Sequence, residues 1–344
     1  MSNRYIEMGL RAPVNVTWEV TYACNLSCIH CLSDSGRKRS QELTTCQCLR
    51  VIDALSANKV FQFSIGGGEP FSRSDFLDLM DYAHEKGMLT CISTNGTLIT
   101  DAVAARLNHK LVYIQVSLDG ATAASNDAVR GTGSFRRALK AIESLRKRDV
   151  EVSINTVLTR LSLPDLDALA GLAGSLGAKF RVSRFRPSGR GKASWSTLSV
   201  SKREMLSFSD WLSSHQSVST GDSFFSVAHE DRRHLGLNMC GACKLTCCIS
   251  PEGNVYPCAF LQEDEFCAGT LPDAAFSSIW NASPVFHAFR ALEIKSCEHC
   301  NRFEMCHGGC PAIAYHTQKK LGFPDPGCLV NCVSEKSFVS GSAG

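Results

Sequence analysis

No stretch of this sequence is apolar for long enough to cross a bilayer, and the opening residues MSNRYIEMGLRAPVN lack the apolar centre of a secretory signal. The chain is also poor in net charge. Its 36 Lys and Arg and 33 Asp and Glu leave +3, too near neutrality to argue for nucleic acid or a membrane surface as partner. These absences point to a cytoplasmic protein with no nucleic-acid and no membrane partner. At 344 residues there is room for about two domains. The 44% hydrophobic and 20% charged content belongs to an ordinary chain able to bury a core.

What the sequence has in excess is cysteine, 18 residues of it. Three readings compete: a disulfide scaffold, zinc, and iron–sulfur clusters. The missing signal, and a length sufficient for a core without staples, weigh against the first. Spacing must choose between the others.

From residue 14 to about 186, strand and helix patterns alternate. Residues 14–20, 61–65, 89–93, 113–118, 152–158 and 180–185 read as strands. Between them, one helix presents Phe76, Leu77, Met80 and Ala83 and ends at Gly87; another opens with Ser134 as cap and presents Phe135, Leu139, Ile142 and Leu145. Such βα repeats predict an α/β fold with a parallel sheet, doubly wound or curled into a barrel. The pattern breaks after "RPSGRG", and cysteine density rises from 240. The expected organisation is a lead over 1–13, a βα unit over 14–190, a linker and helix over 191–239, a cysteine-rich unit over 240–332 and a disordered tail over 333–344.

Cys24, Cys28 and Cys31 follow the first strand as C-x3-C-x2-C. A cubane four-iron cluster takes four thiolates, one per iron, so three leave one iron free for a small molecule. The paired C-x2-C units usual for zinc are not the pattern here. "GGGEP" follows the second strand, "STNG" the third and "SLDG" the fourth, the ends at which parallel α/β folds place chemistry.

This cysteine loop, with "GGGEP" at 66–70, resembles the radical S-adenosylmethionine (SAM) superfamily. The resemblance implies a partial (β/α)6 TIM-type barrel whose open iron chelates the amino and carboxylate groups of SAM. An electron from the cluster then cleaves a C–S bond, giving methionine and a 5′-deoxyadenosyl radical that abstracts a substrate hydrogen. Gly67 and Gly68 let a charged ligand approach the backbone. Glu69 can accept hydrogen bonds from an ammonium group, and the family puts the SAM amino group there. Ser93, Thr94 and Asn95, then Ser117 and Asp119, offer ribose or carboxylate contacts, and Arg130 a partner for the SAM carboxylate. His30 stands where the family usually has an aromatic residue, so its ring can flank adenine. Each of these also fits plain capping and turn roles. No catalytic residue is singled out.

The C-terminal cysteines are Cys240, Cys243, Cys247, Cys248 and Cys258, then Cys297-x2-Cys300-x5-Cys306-x3-Cys310, and Cys328. "ISPEGNVYPC" reads as a hairpin. Over about 240–330 the pattern resembles the SPASM extension of radical SAM enzymes, a cysteine-rich domain that carries auxiliary clusters. By resemblance Cys240, Cys258 and Cys310 ligate the first, with Cys247 favoured over Cys243 as fourth ligand. Cys297, Cys300, Cys306 and Cys328 ligate the second. The cofactors implied are SAM and three [4Fe–4S] clusters. Cys248 should face away from Cys247. Cys46, Cys48 and Cys91 read as small core residues, and Cys267 and Cys332 stay undecided.

Beyond the cysteines, "APVNVTWEVTYACNLSC", "IGGGEP", "SLDGATA", "NDAVRG", "RPSGRG", "TGDSFF" and "GLNMCGA" resemble the mycofactocin maturase family nearly end to end, and more distantly the enzyme that cross-links the PQQ precursor. That resemblance implies a ribosomal precursor peptide ending in Val-Tyr, oxidative decarboxylation of its tyrosine, and a C–C bond to the valine. It also implies a low-potential electron donor such as flavodoxin or ferredoxin. About thirteen residues precede the first strand, so a separate small leader-peptide-binding protein is expected. One of Arg184, Arg186 and Arg190 is expected to meet a carboxylate, of SAM or of the peptide; a solvated basic loop is the plain alternative. Another radical SAM/SPASM enzyme (a haem-pathway decarboxylase, or a thioether-forming or PQQ-type maturase) would share every cysteine motif. A non-catalytic zinc- or cluster-binding scaffold is the alternative of a different class.

Overall fold

The structure is a computed structural model and describes residues 10–107, 111–226 and 240–330. Residues 1–9 of the lead, part of the linker (227–239), Cys332 and the expected disordered tail lie outside the described residues.

Strand follows helix with short connections. Strand β1 (Asn15–Glu19) leads to helix α1 (Thr45–Ala57), β2 (Gln62–Gly66) to α2 (Phe76–Glu85), and β3 (Leu89–Thr94) to α3 (Asp101–Arg106). After β4 (Val112–Ser117) come α4 (Ala123–Arg130) and α5 (Ser134–Arg146). After β5 (Glu151–Leu158) comes α6 (Leu166–Ser175), and after β6 (Lys179–Arg184) come α7 (Gly191–Leu198) and α8 (Lys202–Ser214). Strands β1 to β6 pair in sequence order, all parallel. A doubly wound sheet would reverse direction at a switch point; this one does not, so it curls as a partial barrel.

Alternation along each strand sets the two faces. Val16, Trp18, Phe63, Ile65 and Ile92 lie in the core with Val51, Ile52 and Leu79 of the helices. Thr17, Ser64, Ser93, Gln115, Asn155 and Ser183 face the concave side. Their polar groups bond across strands: Ser64 Oγ donates to Asn15 Oδ1 at 2.8 Å, Ser93 Oγ to Gln115 Oε1 at 3.2 Å, and Ser183 Oγ to Asn155 Oδ1 at 2.6 Å. A buried polar layer is tolerable because its members satisfy one another.

The sheet does not stop at β1. Strand β8 (Thr246–Ile249) runs parallel beside β1, and β9 (Asn254–Tyr256) and β10 (Gly269–Thr270) add to it, while β7 (Val218–Thr220) extends β6. The cysteine-rich region therefore begins as a continuation of the barrel sheet, and its hairpin covers the β1 edge that would otherwise be open.

Local expectations change in three places. The cap before α5 is Gly133 at φ +77, not Ser134. The Asp127 carboxylate takes the orphan donors, accepting from Gly133 N, Ser134 Oγ and Phe135 N. In α2 it is Leu79, not Leu77, that is fully buried. Residues 187–195, "PSGRGKASW", whose glycines and serines suggest a connector, run into helix α7 from Gly191, whose N–H is tied to Cys31 O.

Candidate cluster and cofactor site

A cavity of about 290 Å³ opens at the carboxyl ends of the barrel strands, close to the lower bound for small-molecule sites, about 300 Å³. Cys24, Cys28 and Cys31 line one wall with His30, and Gly67, Gly68, Ser93, Asn95, Ser117 and Arg130 line it too. Residues spread over a hundred positions of sequence thus share one space. Glu69, Asp119 and Arg190 are absent from the lining.

The cysteine loop is held by backbone bonds. Cys24 N donates to Gly36 O at 2.9 Å, Ile29 N to Val129 O at 3.1 Å, and Gly191 N to Cys31 O at 3.1 Å. Arg190 clamps the loop, donating from Nη1 to Cys28 O at 3.0 Å and from Nη2 to Ser35 O at 2.7 Å. The loop also rests on the glycines. Gly68 N donates to Thr21 O at 2.7 Å and Glu69 N to Ala23 O at 2.8 Å. A Cβ on Gly67 would come within 2.6 Å of Thr21 O, and one on Gly68 within 2.2 Å of Ala23 O. The glycines are required first by this backbone-on-backbone contact, whatever room they also leave for a ligand.

The Glu69 side chain turns to protein donors. It is wholly buried and its carboxylate accepts from Thr94 Oγ1 at 2.8 Å, Asn95 N at 2.8 Å and Phe71 N at 3.3 Å. Burial pushes its pKa up to about 7. Its side chain ties the end of β2 to the end of β3 and so sets where Asn95 sits; Asn95 Nδ2 reaches Asn25 Oδ1 at 3.0 Å, and Cys24 Sγ at 3.9 Å.

Asp119 also turns inward. His30 Nε2 and Arg130 Nε both lie 2.6 Å from its Oδ2, and Val157 N donates to its Oδ1 at 2.8 Å. Burial pushes the carboxyl up, but Arg130 and His30 outweigh it and hold it below the ordinary range. Asp119 is thus an anchor for two cavity residues. Arg130 Nη1 meanwhile sits 4.0 Å from Cys28 Sγ. Burial raises the Cys28 thiol against the pull of Arg130, and pushes Cys24 up to about 11. Both thiols therefore hold their protons until a metal displaces them.

The arginines after β6 have protein partners. Arg184 pairs with Asp325 through two bonds, of 2.6 and 2.8 Å. Arg186 bonds Asp222 and Cys310, and Arg190 also meets Asp34 at 2.9 Å. None of the three is a solvated basic loop residue, and Arg184 and Arg186 line the cavity. Sequence reasoning missed Glu19, which also lines it. Glu19 is 2% exposed, accepts from Gln262 Nε2 at 2.9 Å, and burial pushes its pKa up to about 7. Within "VTWEV" nothing marks it apart from any strand residue.

The C-terminal thiols fall into two groups. Cys297, Cys300, Cys306 and Cys328 sense one another electrostatically. Cys258 senses Cys240 and Cys310. Cys243 senses Cys247 first, then Cys258 and Cys240. Cys247 is aligned with Val16 on the outer face of the sheet, beside Cys243 and Arg290, whereas Cys248 is aligned with Thr17 on the concave face. Cys48 is buried as expected, but Cys46 is exposed. Among the described residues no three His, Cys, Asp or Glu converge as a single-ion site would require. A cubane differs, since each thiolate meets its own iron; three thiols on one cavity wall suit that donor pattern.

The radical SAM superfamily description matches residues 18–172 and the SPASM iron–sulfur cluster-binding domain residues 240–307. Over 330 residues the chain is 45% identical to the mycofactocin maturase MftC of Mycobacterium tuberculosis (strain CDC 1551 / Oshkosh), covering 94% of this chain and 84% of that protein. The chain belongs to the mycofactocin maturase family of radical SAM/SPASM enzymes. Membership sets aside the non-catalytic scaffold. The AdoMet-dependent heme synthase of Methanosarcina barkeri (strain Fusaro / DSM 804) is 30% identical over 344 residues, covering 92% of this chain and 97% of that one. The fold matches that of Streptococcus suis SuiB bound to precursor peptide SuiA, with TM-score 0.77 at 20% identity, over 94% of this chain and 77% of that one. Among the described residues no helix is long and apolar enough to cross a membrane.

Proposed function

We propose that the chain oxidatively decarboxylates the C-terminal tyrosine of a ribosomal precursor peptide and then joins it to the preceding valine by a C–C bond. The observation that carries this reading is the 45% identity to a mycofactocin maturase over nearly the whole chain, set beside one cavity that gathers the three thiols and the concave polar residues. Cys24, Cys28 and Cys31 would hold a [4Fe–4S] cluster with one open iron for SAM. Bound there, the pair would supply a 5′-deoxyadenosyl radical.

The chain's own residues would do the rest. Arg130 stands at the SAM end beside Cys28, fixed by Asp119, and suits a carboxylate. The ring of His30, locked on the same Asp119, forms an edge of that end. Gly67, Gly68, Ser93, Asn95 and Ser117 bound the SAM side. Phe185, Phe260 and Leu26 supply apolar wall that excludes water from a radical. Cys240, Cys258 and Cys310 would hold one auxiliary cluster, with Cys243 as the fourth ligand in preference to Cys247, because Cys243 shares their surroundings and Cys247 faces the outer layer. Cys297, Cys300, Cys306 and Cys328 would hold the other, making three clusters with the first. A small leader-binding protein and a low-potential donor complete the reaction, in the cytoplasm.

The test is mass spectrometry of peptides ending in Val-Tyr, incubated anaerobically with reconstituted protein, SAM and reductant, with and without the leader-binding protein. The expected product has lost carbon dioxide and two hydrogens, followed by an isomer of equal mass as the valine C–H adds across the new double bond. Loss of two hydrogens alone would assign thioether or cross-link chemistry instead. Decarboxylation of a tetrapyrrole with an inert peptide would place the chain with the heme synthases.

A further inference from the structure

Arg186 lies two residues beyond β6, in the wall of the cavity. Each of its three nitrogens donates a hydrogen bond. Nε donates to Cys310 Sγ at 3.4 Å, Nη1 to Arg184 O at 3.0 Å, and Nη2 to Asp222 Oδ2 at 2.6 Å. Its plane lies over Phe260, 4.5 Å from the ring centroid. Only 15% of the side chain is exposed. Asp222 is itself fixed, its Oδ1 accepting from Phe224 N at 3.1 Å. A cation tied at three nitrogens cannot swing out to a substrate, so its charge acts where it stands. What it touches is a thiol assigned above to the auxiliary cluster beside the cavity.

We propose that Arg186 is a tuning residue, which raises the reduction potential of the cluster held by Cys240, Cys258 and Cys310. The inference rests on that ligand assignment. Reduction adds one negative charge to a cluster. A fixed cation donating an N–H to a ligand sulfur stabilises the reduced form more than the oxidised one. Hydrogen bonds to sulfur and local charge are the means by which proteins set such potentials. Asp222 orients the guanidinium and partly offsets its charge, so the two residues act with opposite sign.

The experiment is a redox titration of the anaerobically reconstituted full chain, followed by electron paramagnetic resonance, with iron and sulfide counted in each sample. Arg186→Gln should move one auxiliary midpoint to lower potential and leave the other two clusters where they are, with iron unchanged. Arg186→Lys, which keeps the charge and loses the planar fork, should move it less. Asp222→Asn should move the same midpoint upward. Unmoved midpoints in Arg186→Gln and Asp222→Asn at full iron would overturn the proposal. Should Arg186→Gln shed a cluster, Asp222→Asn decides: an upward shift supports the tuning role, and no shift ends it. Failure of the underlying assignment shows separately, as Cys310→Ala retaining the iron of all its clusters.

Discussion

Arg184 at the end of β6 and Asp325, just before Cys328, form a two-bond ion pair with both side chains buried. Asp325 does more than neutralise the arginine. Its Oδ2 accepts from Cys310 N at 3.0 Å and its Oδ1 from Gly327 N at 2.8 Å. One carboxylate thus fastens the segments of both C-terminal thiol groups to a barrel strand. Removing one partner of a buried pair leaves the other uncompensated. Asp325→Ala is therefore expected to cost about 3–5 kcal/mol and to shed auxiliary iron, while Cys24, Cys28 and Cys31 keep theirs. Thermal melting with iron analysis checks this; unchanged melting and iron would contradict it.

The two candidate fourth ligands are neighbours, but only Cys243 also senses Cys258 and Cys240, and Cys247 lies on the outer face. Cys243→Ala is expected to lower iron by about one four-iron cluster, and Cys247→Ala to leave it whole. Iron and sulfide counts after reconstitution read the difference, and the reverse pattern would restore Cys247.

Gly68→Ala places a methyl 2.2 Å from a backbone oxygen of the cysteine loop. Backbone cannot step aside as a side chain can, so a cost of at least about 1–3 kcal/mol is expected. Loss of SAM binding should accompany it, because Ala23 is displaced next to Cys24. Gly171→Ala in α6 is the control, since its methyl would meet nothing within 4 Å. Equal SAM affinity in both variants, measured by calorimetry, would refute the prediction.

Glu19 predicts a pH dependence. Burial raises its carboxyl from 4.5 to about 7 in the folded chain. Between those values the folded state binds the proton and the unfolded state does not. Stability is therefore full below about 4.5 and falls as pH rises toward 7, by on the order of 3 kcal/mol. Glu19→Gln keeps an acceptor for Gln262 and removes the titration. The variant should flatten the fall in melting temperature from pH 5 to 8 and be at least as stable as the parent at pH 8. A variant that follows the parent across this range would show that Glu19 titrates normally.

Much of this protein was legible in its residues. Period-two and helical patterns placed six strands within one residue of where they lie at either end, since backbone alternation is a local property. The spacing of Cys24, Cys28 and Cys31 and the glycines after β2 picked out residues that line one cavity, because parallel strands deliver their loops to one end. Only tertiary structure decided the rest. "GGGEP" does not say that Glu69 turns into the protein to bind Thr94 and Asn95. Nor do "SRFRPSGRG" and the cysteine list say that Arg184 meets Asp325, 141 positions away, or that Cys247 faces outward once β8 pairs with β1. Each of these turns on which distant group fills the space opposite a side chain. A buried charge accepts whichever partner the packing brings within reach, and that choice is made by the whole fold rather than by the neighbours along the chain.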